Sequence, residues 1–333
     1  MSTSAPPGGK RKREEPSRAI TAAACTSMGE RTSQEDRFVL VPDAWVPGKD
    51  GAAEEACSSW PVCGFFGVFD GHMGEGAAEL VSKQLWVELR SRLVVLLRAD
   101  SGPSKLQPDA LERAMRAAFA ATEVRVLDAA GSSGCTATVA LIVGDALCIA
   151  NLGDSRTVLC RSERCFWSTT DHKPDMARER ARIVSAGGKV YTPHGAGQVN
   201  VPRLNGILSV SRAFGDAELK APNGGEAGDG GADPRAAVLS AEPDVTHRRL
   251  GDGSFGFKFD EFLLLASDGL WDVLSGDTAV EIARAALRRG PTDITKQQRC
   301  QQACDTLVSR ALQSGHCRDN VTVMLVMLCD ELG

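Results

Sequence analysis

The chain has 333 residues, 43% hydrophobic and 24% charged, which is the balance of a soluble globular protein. A net charge of −5 gives no support to a nucleic-acid surface, and no apolar run approaches the ~20 residues a membrane span requires. Eleven cysteines, an odd number scattered through apolar segments, read as buried thiols and not as a disulfide framework.

Residues 1–17, rich in Pro, Gly, Ser and charge, read as a disordered basic tail, whose Lys10–Arg13 run is either a solvated cluster or a nuclear import signal. No apolar signal core is present and Ser2 stands where myristoylation needs Gly, so a cytoplasmic or nuclear protein is expected. From there to residue 330 the pattern reads as one domain. Apolar runs at 19–25, 37–41, 62–69, 135–143, 146–151, 157–161, 262–267 and 321–328 predict strands. Between them, Ala77, Val81, Leu85, Leu89, Leu93 and Leu111, Met115, Phe119 recur at helical spacing. A second helical pair is predicted around Val280–Leu287 and Cys300–Ala311. Helices inserted in pairs between antiparallel strands predict an α+β fold, two sheets with a helical layer on each outer face. Residues 43–61 and 220–237, rich in Gly, Pro and Ala, read as surface insertions.

Four aspartates stand at the ends of apolar strands: Asp70 in FFGVFDGH, Asp154 in LCIANLGDSR, Asp268 in FLLLASDGLWD and Asp319 in CRDNVTVMLV. Gathered by the fold they would repel one another, each raising its neighbours' pKa. A hard divalent cation removes that conflict, and oxygen ligands without nearby Cys or His pairs point to Mg2+ or Mn2+, not zinc.

The ordered segments RTSQEDRF (31–38), GFFGVFDGHMG (64–74), GCTATVAL (134–141), LCIANLGDSRTVL (147–159), DHKP (171–174), LSVSRAFGD (208–216), LLLASDGLWDVLS (263–275) and RDNVTVMLV (318–326) resemble the metal-dependent serine/threonine protein phosphatases of type 2C. The resemblance implies a four-layer α-β-β-α sandwich with two central, mainly antiparallel sheets. It implies that Glu35, Asp70 and the Gly71 carbonyl hold one metal and that Asp70, Asp268 and Asp319 hold its neighbour. Asp154 and Asp272 would help Asp268 hold a third, weaker one. By the same resemblance Arg31 binds the substrate phosphate, His72 protonates the leaving alkoxide, and a hydroxide bridging the metals attacks phosphoserine or phosphothreonine directly. Asp171 and Asp216 are read as turn-forming acids outside the ligand set, His194 stays unassigned, and residues 183–216 resemble a flap beside the site. Met73 and Cys135 depart from the family pattern, Met73 at the edge of the expected pocket. The expected partners are phosphoprotein substrates acted on by a monomer, with no nucleic acid and no membrane. A catalytically inactive pseudophosphatase serving as a binding module is the alternative, against which the completeness of the acidic set argues. A nuclease would need a basic track that the chain lacks.

Overall fold

The computed structural model describes residues 20–43, 62–99, 107–193, 200–220, 237–250, 260–289, 293–329 and 332. The tail, nearly all of both expected insertions, Cys57 and His194 lie outside them. In chain order the first elements are β1 (Ala22–Ser27), β2 (Arg37–Val41), β3 (Cys63–Phe69), β4 (Gly71–His72), α1 (Gly76–Ala99) and α2 (Pro108–Ala129). Then come β5 (Gly134–Cys135), β6 (Ala137–Val143), β7 (Ala146–Leu152), β8 (Arg156–Arg161), β9 (Arg164–Ser168) and α3 (Ala177–Ser185). The short strands β10 (Val190–Tyr191), β11 (Arg203–Leu204) and β12 (Phe214–Gly215) precede β13 (Asp244–Arg249) and β14 (Asp260–Ala266). The chain closes with α4 (Asp268–Trp271), α5 (Gly276–Arg288), α6 (Lys296–Gln313) and β15 (Val321–Met327).

Two five-stranded antiparallel sheets, ordered β1-β15-β14-β8-β9 and β13-β7-β6-β3-β2, face each other. Between them lie Phe66, Val68, Ile149, Leu263, Leu265 and Met324. The outer faces are covered by helices: α1 and α2 bury Leu85, Leu89, Met115 and Phe119 on one sheet, and α5 and α6 bury Val280, Ala283, Leu307 and Ala311 on the other. The layers are therefore α-β-β-α. Strands β3, β6, β14 and β15 are buried along their whole length because a helix covers one face and the opposite sheet the other, which is why they read as continuous apolar runs instead of alternating ones. Helix α6 starts on a capping box, Thr295 Oγ1 accepting from Gln298 N and Gln298 Oε1 accepting from Thr295 N. Among the described residues, no helix is long and apolar enough to cross a membrane.

Several elements differ from the sequence expectation. β9 and β13 are outer strands of their sheets and partly exposed along their length, and four of the nine residues of α3 are charged. The flap segment carries its own small core of Ile183, Leu204, Leu208, Val210, Ala213, Val238 and Leu239. Lys220, read as the start of an insertion, is buried: its ammonium pairs with Glu123 of α2 and donates to the Ala213 carbonyl at 2.7 Å.

Candidate metal centre and active site

The antiparallel register sets one edge of the sandwich apart. β3, β7 and β14 end there while β2 and β15 begin there, since Phe69 pairs with Arg37, Leu152 with Ala137, and Ala266 with Val323. Asp70, Asp154 and Asp268 follow the ends of β3, β7 and β14 within two residues, and Glu35 and Asp319 precede β2 and β15 by two residues. The strands thus deliver five acids, distant in sequence, to a single pocket of about 400 Å3, which Arg31, Gly71 and His72 also line.

Within it, ligand oxygens of Asp70, Asp154 and Asp268 lie within 4.8 Å of one another. Burial pushes Asp70 and Asp268 well above the usual carboxylate range, and the neighbouring acids push the same way, Asp268 acting on Asp70 and Asp154 on Asp268. Asp272, one turn after Asp268 on α4, is exposed and is also raised, by desolvation and then by Asp154 and Asp319 against the pull of Lys173. It does not line the pocket.

The remaining groups are fixed by local hydrogen bonds. Glu35 accepts from Ser33 Oγ at 2.9 Å and from Gly74 N at 3.2 Å. Asn320 clamps the loop that carries Arg31 and Glu35: its Oδ1 accepts from Glu35 N at 2.8 Å and its Nδ2 donates to the Met28 and Ser33 carbonyls, both at 2.9 Å. Arg31 is 56% exposed and donates to Asp319 Oδ2 at 2.6 Å, so the expected phosphate ligand stands at the mouth beside an expected metal ligand. Gly71 and Gly269 allow backbone-to-backbone approach here. A Cβ on Gly71 would stand 2.5 Å from the Glu35 carbonyl, and one on Gly269 would stand 2.0 Å from that of Asn320.

Besides Lys173, which pairs with Asp154, three residues with a place in the site were missed by the sequence reading. Asp36, adjacent to Glu35, is buried and accepts from Thr322 Oγ1 at 2.7 Å and Ser267 Oγ at 2.8 Å. Burial raises it to about 6 against the pull of those bonds and of a further one with Asp70. Asn320 is the second, and its signal was its place beside Asp319. The third is Asp216, expected only to form a turn. It does sit at one, with φ 53 before a single 3-10 turn, but its buried carboxylate contacts His72 Nε2 at 2.8 Å. β4, β5 and β12 form the small sheet that joins the two. Asp171 matches its structural reading, holding Arg156 in a two-point pair at 2.8 and 2.6 Å.

The donor set is all oxygen and crowded, and Asp70 and Asp268 within it are raised. These residues fit hard divalent cations, which would add positive charge to what Arg31 and Lys173 bring to the cluster. The free cysteines stay out of it: burial pushes Cys25 and Cys300 up to about 11 and Cys148 up to about 12.

Most of the chain matches known proteins. The family model described as Protein phosphatase 2C matches residues 50–321. The chain is 34% identical over 310 residues to probable protein phosphatase 2C 71 of Arabidopsis thaliana, covering 92% of this chain and 55% of that protein. It is 36% identical over 308 residues to probable protein phosphatase 2C 27 of the same plant, covering 92% of this chain and 68% of that one. The chain thus spans little more than half the length of the first relative and about two thirds of the second. A solved serine-threonine phosphatase 2C from Toxoplasma gondii superposes with a TM-score of 0.71 at 28% identity, over 95% of this chain and 96% of that one. By sequence and by fold, the chain belongs to the protein phosphatase 2C family, a family of metal-dependent serine/threonine protein phosphatases.

Proposed function

We propose that this chain hydrolyses phosphoserine and phosphothreonine on proteins by direct attack of water, with no phospho-enzyme intermediate. The observation that carries the reading is the convergence of Glu35, Asp70, Asp154, Asp268 and Asp319 on one pocket between Arg31 and His72. Glu35, Asp70 and the Gly71 carbonyl would hold one Mg2+ or Mn2+, and Asp70, Asp268 and Asp319 its neighbour. Asp154 and Asp272 would serve a third with Asp268, Asp154 from within the cluster and Asp272 from its flank. Bound there, such ions neutralise phosphate charge and activate water.

The chain's own groups account for the rest. Arg31, exposed at the mouth, exchanges part of its contact with Asp319 for two phosphate oxygens, a geometry that suits its planar fork. A P–O bond forms to the attacking water oxygen, which loses one proton to bulk solvent, and the ester P–O bond breaks. His72, oriented through Nε2 by Asp216, gives a proton to the departing seryl or threonyl oxygen. Arg203 and Ile207 of the flap and Met73 wall the pocket and so meet residues that flank the phosphorylated one.

The test is release of phosphate from a phosphothreonine peptide by the purified chain with Mn2+, with chelator, and with Asp268→Ala. Turnover that needs both the metal and Asp268 is expected, with a loss of at least about a thousandfold in the variant. A folded wild-type chain that binds Mn2+ and releases no phosphate would overturn the proposal and leave a pseudophosphatase.

A further inference from the structure

Lys173 contributes a cation to the acid cluster, and the sequence reading gave it no role. Its ammonium pairs with Oδ2 of Asp154, a carboxylate only 2% exposed whose other neighbours are Asp70 and Asp268. The lysine is not a free surface arm reaching in. Its segment is stitched to Gly153, the residue before Asp154: His172 N donates to the Gly153 carbonyl at 2.9 Å, and Gly153 N donates to His172 Nδ1 at 3.1 Å. Asp171, two residues earlier, is locked to Arg156. The backbone therefore holds Lys173 beside Asp154, and the side chain is mostly buried, 30% exposed. Among the described residues, Arg31 also pairs with a pocket carboxylate, from the mouth and with more than half its side chain in solvent.

We propose that Lys173 sets the affinity of the cation position served by Asp154, because its ammonium occupies the carboxylate oxygen that such a cation needs. The inference rests on the metal-dependent reading above. A carboxylate oxygen already accepting from an ammonium is a poorer ligand, and a dication brought beside that ammonium meets like-charge repulsion in a partly desolvated site. Occupancy at Asp154 therefore costs displacement or sharing of Lys173, whereas among the described residues no ammonium or guanidinium pairs with Asp70. The consequence is a graded centre, in which the Asp154 position fills only at higher free divalent concentration and so responds to it.

Calorimetric titration of the full chain with MgCl2 tests this without any turnover. Asp154→Asn first identifies the binding event that depends on Asp154. In Lys173→Gln that event should tighten by about tenfold, the effect expected for removing one adjacent positive charge. In Lys173→Arg, which keeps the charge, it should stay near the wild-type value, and the stronger events should not move in either variant. Lys173→Met keeps the aliphatic stem and repeats the experiment if the Gln variant does not fold. An unchanged or weakened event in both charge-removing variants would overturn the proposal, since Lys173 would then merely hold Asp154 in place. If the wild-type chain binds no Mg2+ that depends on Asp70 or Asp268, the metal-dependent reading itself fails, a separate result from an unaltered Lys173 effect.

Discussion

Asp216 is the clearest case of a residue whose part depends on another. Its carboxylate, 4% exposed, fixes His72 through Nε2, and the place for that contact exists because residue 134 is glycine: a Cβ there would stand 2.0 Å from Asp216 Oδ2 and 2.5 Å from His72 Nε2. Behind Asp216, Gly215 N donates to Glu123 Oε2 at 3.0 Å, and Glu123 in turn holds Lys220. An imidazole that loses its orienting carboxylate still binds nothing less well, so Asp216→Asn should lower kcat by about tenfold to a hundredfold and leave KM for a phosphopeptide nearly unchanged. A rise in KM with kcat intact would show that the pair serves binding and not proton delivery. Asp70, Asp154, Asp268 and Asp319 were legible because each ends or begins an apolar strand, a pattern visible in one dimension. Asp216 was not, because its partner lies 144 residues away and nothing about RAFGD distinguishes a turn acid from one that reaches a histidine. Asp36 was overlooked for another reason: two acids in QED look equivalent, and only burial separates the one that accepts from Ser267 and Thr322 from the one that faces the pocket.

Elements were legible in proportion to how completely they are buried. The strands covered on both faces and the four long helices carry unbroken apolar or 3.6-residue patterns, and their predicted spans agree with the structure to within a few residues. β13, with sequence DVTHRR, pairs along only one edge, with β7, and offers no such pattern. α3 was missed because it buries a single apolar side chain, Ile183, and charge does the rest of holding it. Glu179 of α3 is 2% exposed and takes Arg212 at 2.6 Å, Arg182 at 3.1 Å and Ser211 Oγ at 2.9 Å. Burial would raise Glu179, but the bonds and charge of Arg212, then of Arg182, outweigh it and hold the carboxyl at about 2. Arg212 extends the network to Asp244 of β13 at 2.9 Å, so the flap's inner edge is fastened to a sheet by ion pairs. Glu179→Gln leaves Arg212 and Arg182 short of a buried anion and should cost about 3–5 kcal/mol, measured by urea unfolding at neutral pH. A cost below about 1 kcal/mol would mean that Asp244 and the backbone carbonyls suffice for both arginines.

At the scale of the whole molecule, two apolar sheets are packed so that the ends of their central strands collect negative charge. Folding brings together carboxyls that would each rather stay protonated: Asp36 is raised by burial to about 6, and Asp70 and Asp268 are raised by burial and by neighbouring acids, Asp70 by Asp268 and Asp268 by Asp154. A carboxyl whose value is higher folded than unfolded binds its proton more tightly in the folded state. Its contribution to stability is therefore fully present below the unfolded value, about 4, and is lost as pH rises through the folded value. Glu179 has the opposite sign, its contribution being lost only as pH falls from about 4 towards 2, so the two effects occupy separate windows. In chelator, the midpoint of thermal unfolding should accordingly fall between about pH 5 and about pH 8. Divalent cations bind the ionised cluster and not the unfolded chain, so saturating Mn2+ should restore stability, by about 3 kcal/mol at a hundred times its dissociation constant. For a chain of this length that is a rise of several degrees. The rise should be larger at about pH 8 than at about pH 5, where protons compete for the same oxygens, and Asp268→Ala should abolish most of the difference. Equal stabilisation at both pH values, or a midpoint that climbs with pH in chelator, would mean that the cluster's repulsion is already relieved within the protein, by Arg31 and Lys173, and that the metal is not what the fold requires to keep these acids together.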